Sequence, residues 1–156
     1  EAFSYSGIET FTTPASMELM DRPFTHSHCL ESVTITHKMD VYGYLAFADC
    51  PKLTSFVFHD DIENLNEAWY MFSGCTALEE IRLPKKLKKI DRYMFDGCTD
   101  LKRLYIGDAI TEIETGSVYG TALEELHIEA ATPPTQKVSE GLINNPPFDK
   151  FAYENM

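Results

Sequence analysis

Positive charge is scarce in this sequence: 13 Lys and Arg stand against 25 Asp and Glu, a net charge of −12. A chain so acidic repels a nucleic-acid backbone, so no nucleic-acid partner is expected. Long hydrophobic runs are missing too. No stretch approaches the roughly 18–20 apolar residues that cross a bilayer, so no membrane insertion is expected of this segment. The opening EAFSYSGIETF has no charged start followed by a long apolar stretch, and no secretory leader is visible in it. Also missing are G-x-S-x-G, H-E-x-x-H, a phosphate-binding loop and a dinucleotide fingerprint. Scattered carboxylates such as Asp60-Asp61 and Glu124-Glu125 offer no preferred pair for acid–base hydrolysis. No catalytic residue and no cofactor is assigned.

What is there is ordinary in amount and unusual in order. Apolar residues make up 44% and charged residues 24% of the 156, as in a globular domain. Their order repeats. FADCPKLTSFVF from Phe47, FSGCTALEEIRL from Phe72 and FDGCTDLKRLYI from Phe95 share Phe-x-x-Cys-x-x-Leu, and weaker copies start at Phe3, Phe24 and Val118. The anchors Ile8, Leu30, Leu53, Leu78, Leu101 and Leu123 are spaced by 22, 23, 25, 23 and 22 residues. The chain starts partway through this pattern and reads as an excised piece.

Three positions after each anchor sit Phe11, Val33, Phe56, Ile81, Leu104 and Leu126; five after sit Thr13, Ile35, Phe58, Leu83, Ile106 and Ile128. That is the period-2 alternation of a short strand with one buried face. A second apolar pair follows nine and twelve positions on, with Tyr42 assigned to the twelfth position of the second copy. One such strand cannot bury its apolar side alone, and stacked copies can, so the fold class expected is an α/β solenoid. Gly74, Gly97 and Gly120 precede the Leu anchors, where a left-handed turn prefers glycine. The aromatic-rich segments before them are expected to be short helical turns on the convex side. These drop Phe47, Phe72 and Phe95 into the core.

Leu-x-x-Leu-x-Leu on this period resembles a leucine-rich repeat. The Phe-x-x-Cys-x-x-Leu-x-x-Ile-x-Leu-Pro form, complete in LEEIRLPKKLKKIDRYMFDGC from Leu78 to Cys98, resembles the BspA-like repeats of bacterial surface proteins. The resemblance covers about residues 3–129, and the asparagine ladder of commoner leucine-rich repeats is missing. It implies a leucine-rich-repeat solenoid of about six repeats, with a parallel β-sheet on one face. It also implies a secreted or cell-surface location and a link to adhesion. Residues 1–129 are read as one repeat domain. Residues 130–156, with Pro133-Pro134 and Pro146-Pro147, are read as a Pro-rich C-terminal cap, whole or cut short, because prolines forbid another regular rung.

Cys50, Cys75 and Cys98 share one repeat position and are expected as stacked, buried free thiols. Cys29 is off register and should be more exposed. His26 and His28 form His-x-His, with His37 or Asp21 as conceivable third partners, but metal-ligand spacing is lacking and no metal is assigned. His59 and His127 are placed on the exposed strand face. Charge is uneven: from Arg82 to Arg103, eight basic residues meet only Asp91, Asp96 and Asp100, a window of +5 against −17 elsewhere. Lys85, Lys86, Lys88 and Lys89 form a basic loop that either balances neighbouring acidic rungs or meets an anionic partner. On the exposed strand face Arg82, Arg103, Tyr105 and His127 are the candidate binding residues, because Tyr and Arg bury large areas while keeping hydrogen bonds. The function expected is a non-catalytic module that binds an extracellular protein or glycan. The alternatives are a structural spacer and, last, a glycan-active enzyme.

Overall fold

The structure is a computed structural model that describes residues 2–15, 17, 22–129 and 135–137. Each repeat contributes one strand to a six-stranded parallel sheet. The strands are β1 (Thr10–Thr12), β2 (Ser32–Thr34), β4 (Ser55–Val57), β6 (Glu80–Arg82), β8 (Arg103–Ile106) and β10 (Glu125–Ile128). On a second side run β3 (Val41–Tyr42) beside β5 (Leu65–Asn66), and β7 (Lys89–Ile90), β9 (Glu112–Glu114) and β11 (Thr135–Lys137) in line. The alternation works as the pattern requires: Val33, Phe56, Ile81 and Leu104 are buried, while Ser55, Val57, Glu80 and Arg82 are exposed. Tyr42 is a correction. Val41, one position earlier, aligns with Leu65 and is fully buried, whereas Tyr42 points outward.

The helical turns expected on the convex side are not there: among the described residues there is no helix. The reason lies in two left-handed residues per turn. Two positions before the core aromatic or its equivalent stand Arg22, Leu45, Tyr70, Tyr93 and Gly116. Two positions after it stand Tyr5, His26, Asp49, Gly74, Gly97 and Gly120. All have φ between +49° and +73°. A helix needs an unbroken run of negative φ. The turn backbone bonds between rungs instead. Phe24, Phe47, Phe72 and Phe95 donate their N–H groups to the carbonyls of Ala46, Met71, Met94 and Ser117 of the next rung, at 2.8–3.0 Å. The glycine positions were legible in the sequence; the non-glycine residues sharing their conformation were not.

Along the axis runs a stack of rings. Phe3, Phe24, Phe47, Phe72 and Phe95 follow one another at centroid distances of 5.0–5.7 Å, within 15° of parallel. Full burial of each ring from Phe24 to Phe95 stabilises the fold by about 1.5–3 kcal/mol, while Phe3 is only partly buried. The three cysteines are fully buried and free. Their thiols donate backwards: Cys50 to the Phe24 carbonyl at 3.2 Å, Cys75 to that of Phe47 at 3.1 Å, Cys98 to that of Phe72 at 3.0 Å. Ser27, in the cysteine position of the second copy, does the same to Phe3 at 2.8 Å. Burial raises the Cys50 and Cys98 thiols to about 12, and lifts Cys75 well above its usual value. Cys29 is half-buried.

Both sheets pair less completely between the third and fourth copies. Elsewhere one carbonyl receives two N–H groups from the next rung: Glu9 from Glu31 and Ser32, Glu31 from Thr54 and Ser55, Glu79 from Lys102 and Arg103. Among the described residues no such pair forms at Thr54, and β4 meets β6 only at Val57 and Arg82. On the second side β5 and β7 are not paired. There the buried carboxylate of Asp91 reaches back and accepts the Ala68 N–H at 2.9 Å. Glu114 repeats the device on Arg92 at 3.1 Å.

Candidate functional site on the outer face of the sheet

Strand register brings all four candidate strand-face residues together. Arg82 stands beside Tyr105, and Tyr105 beside His127; Glu80, Arg103 and Glu125 form the parallel row. The Arg82 guanidinium carbon lies 4.2 Å from the Tyr105 ring centroid. The His127 ring lies 4.4 Å away on the next strand, tilted by only 8°. Strands about 4.8 Å apart hold flat groups at stacking distance without further adjustment. The result is a guanidinium–phenol–imidazole stack across β6, β8 and β10.

Carboxylates frame that stack. Arg103 Nε donates to Glu80 Oε2 at 2.8 Å, and this bond raises the Arg103 pKa further above its usual value. His127 Nε2 lies 3.0 Å from Glu125 Oε2. Arg82 has a looser neighbour, Glu129, at 3.9 Å, and its side chain is 57% exposed. On the other side of Arg82 in this column stands Val57, which is 50% exposed. A concavity of about 340 Å³ spans the seam between β4 and β6, beside Arg82. No repeat spacing marked this seam, because the two extra residues of the 25-residue copy fall between Leu65 and Phe72, beyond β5.

The basic loop is distributed differently from its sequence grouping. Lys89 is not in a loop: it belongs to β7 and pairs with Asp91 and Glu114. Burial disfavours its charge, but Asp91 and then Glu114 outweigh that and raise its pKa. Lys86 lies 2.6 Å from Asp61, and the hydrogen bond lowers the pKa of Asp61 while raising that of Lys86. Lys85 lies 3.8 Å from Asp60. Lys88 is exposed. Three of the four lysines thus face carboxylates.

The histidine pair lies in a turn. His26 and His28 rings meet edge-on at 6.4 Å, and His26 Nδ1 lies 3.2 Å from Asp49. His37 is elsewhere, with Nε2 3.2 Å from the Met17 carbonyl, and Asp21 lies outside the described residues. Among the described residues no group of three or more His, Cys, Asp or Glu is placed to hold a metal ion. His59 is not on the strand face: it follows β4, and its Nδ1 accepts the Asp61 N–H at 3.2 Å. Among the described residues no helix is long and apolar enough to cross a membrane.

Residues 1–124 match the model of the BspA type leucine rich repeat region, in six copies. No curated protein matches the sequence. A leucine rich cell surface protein from Faecalibacterium prausnitzii A2-165 has a similar structure, with 26% identity over 82% of this chain and a TM-score of 0.68. A leucine-rich repeat protein from Bacteroides ovatus ATCC 8483, 19% identical over 88% of this chain with a TM-score of 0.54, shares the fold. This chain spans 35% of the first of those chains and 44% of the second.

Proposed function

The chain belongs to the BspA-type leucine-rich repeat family, and from that premise we propose that it is a non-catalytic recognition module of a secreted or cell-surface protein. Its ligand is an extracellular protein or glycan, engaged by the outer face of the six-stranded sheet. The observation that carries this reading is the Arg82–Tyr105–His127 stack, in which a rigid aromatic ring holds a largely exposed guanidinium in place. A preorganised group loses little freedom on binding. Arg103 is the fourth member, already tied to Glu80. The lysines of the 85–89 stretch are secondary, because carboxylates occupy most of them.

Glycan and extracellular-matrix arrays, probed at low and physiological salt, test this. Hits should weaken at least about tenfold in an Arg82→Ala/Tyr105→Ala variant that keeps its unfolding midpoint. A hit that survives that change but fades with salt moves the site to Lys85–Lys89. The absence of any hit favours a spacer. In the same reading residues 130–156 cap the β10 rung, whose Leu123, Leu126 and Ile128 are only partly buried. Deleting residues 138–156 should then lower the unfolding midpoint.

A further inference from the structure

The seam between β4 and β6 combines a concavity with a cation that has little to hold. About 340 Å³ lies at the small end of ligand sites, enough for one sugar ring or one large side chain. Thr54, Ser55 and Val57 line it from one strand, Glu80 and Arg82 from the next. It lies where β4 and β6 pair only through Val57 and Arg82. Ser55 brings a hydroxyl to it, whereas that of Thr54 donates to the Glu31 carbonyl of the preceding rung at 3.2 Å. Its carboxylates are largely balanced: Glu80 by Arg103 at 2.8 Å, Asp60 by Lys85 at 3.8 Å. Arg82 is the excess charge. Stacking on Tyr105 fixes the plane of its guanidinium, while Glu129 at 3.9 Å leaves its fork nearly unused.

We propose that this concavity is a subsite for a uronic-acid residue of an unsulfated glycan, with the sugar carboxylate on the Arg82 fork. The inference rests on the sheet face being the recognition surface, and it names the ligand class. A planar guanidinium fork matches a planar carboxylate with two parallel hydrogen bonds. The Ser55 hydroxyl and the Glu80 and Asp60 carboxylates suit the hydroxyls of a sugar ring. A protein anchor fits less well. Interface cores need large apolar groups. Among the described residues, Val57 is the one such exposed group in this sheet; Tyr5, Tyr42, Tyr44 and Tyr119 lie outside it. A densely sulfated polymer is disfavoured by the −12 net charge and by the neighbouring carboxylates.

The test is calorimetric titration of the full chain with an unsulfated oligosaccharide of alternating glucuronate and N-acetylhexosamine. The same oligosaccharide with its carboxyls reduced to alcohols, and a heparin fragment, run in parallel. The acidic form should bind, and the reduced form should be weaker by about tenfold or more, the loss of a charge-assisted pair of hydrogen bonds. Arg82→Lys, which keeps the charge and loses the fork, should weaken the acidic form by a similar factor. Arg82→Gln should abolish the difference between the two forms. An unchanged unfolding midpoint in both variants excludes a folding defect. The inference is overturned if the reduced form binds as well as the acid, if Arg82→Lys binds like the native protein, or if only heparin binds. No heat from the uronate at millimolar concentration overturns it as well. If the reduced form binds equally and Tyr105→Ala abolishes that binding, the recognition reading stands and the uronate assignment alone falls.

Discussion

The thiol of Cys75 donates to the carbonyl oxygen of Phe47, 28 residues earlier, at 3.1 Å. Among the described residues that carbonyl receives no other donor. The Phe72 carbonyl differs, because it accepts both the Cys98 thiol and the Cys75 N–H at 3.1 Å. Phe72-x-x-Cys75 and Phe95-x-x-Cys98 therefore close two contacts, one within the rung and one to the rung before, while Phe47-x-x-Cys50 closes only the second.

Cys75→Ala strands a buried acceptor and should cost about 1–3 kcal/mol, whereas Cys98→Ala leaves the Phe72 carbonyl bonded and should cost about 1 kcal/mol less. Urea unfolding of the two variants measures the difference. Equal losses would mean that only the thiol volume matters.

Alkaline pH should unfold the protein earlier than its surface charge alone implies. The three thiols have folded pKa values raised by burial, to about 12 for Cys50 and Cys98, against 9.0 when exposed. Below pH 9 both states hold the proton and the full stability is present. Between pH 9 and about 12 only the unfolded chain releases it, so each thiol removes about 1 kcal/mol per pH unit. Stability of the Cys50→Ser/Cys75→Ser/Cys98→Ser variant should fall less steeply across that window.

Asp91 joins two rungs where β5 and β7 do not pair, accepting the Ala68 N–H and meeting Lys89. Asp91→Ala should cost about 2–4 kcal/mol, since a buried N–H and an ammonium both lose their carboxylate. Asp91→Asn keeps an acceptor for Ala68 and should recover part of that loss. Denaturant midpoints of the pair report it.

Glu67 is exposed and holds φ at +52° within the longest repeat. Glu67→Gly should stabilise the fold by about 0.5–1 kcal/mol, because relief of the left-handed strain outweighs the added freedom of the unfolded chain. The reverse holds at Gly116, where a Cβ would stand 2.6 Å from the Tyr93 ring. Gly116→Ala should lower the unfolding midpoint.

The repeat, its strand alternation and its buried Phe, Cys and Leu positions were determined by the sequence itself, because burial on one face of a short strand demands period-2 spacing. The same logic placed Arg82, Arg103, Tyr105 and His127 on the exposed strand face. Three things waited for the tertiary structure. The turns are not helical, since their conformation is set by bonds to the next rung and by left-handed residues such as Leu45 and Tyr93 that carry no glycine signal. Lys89 and its neighbours face carboxylates from other rungs, more than twenty residues away for Asp60, Asp61 and Glu114, so a sequence window could count their charge and not their pairing. The seam between β4 and β6, paired only at Val57 and Arg82, is likewise a relation between repeats that neither repeat contains alone.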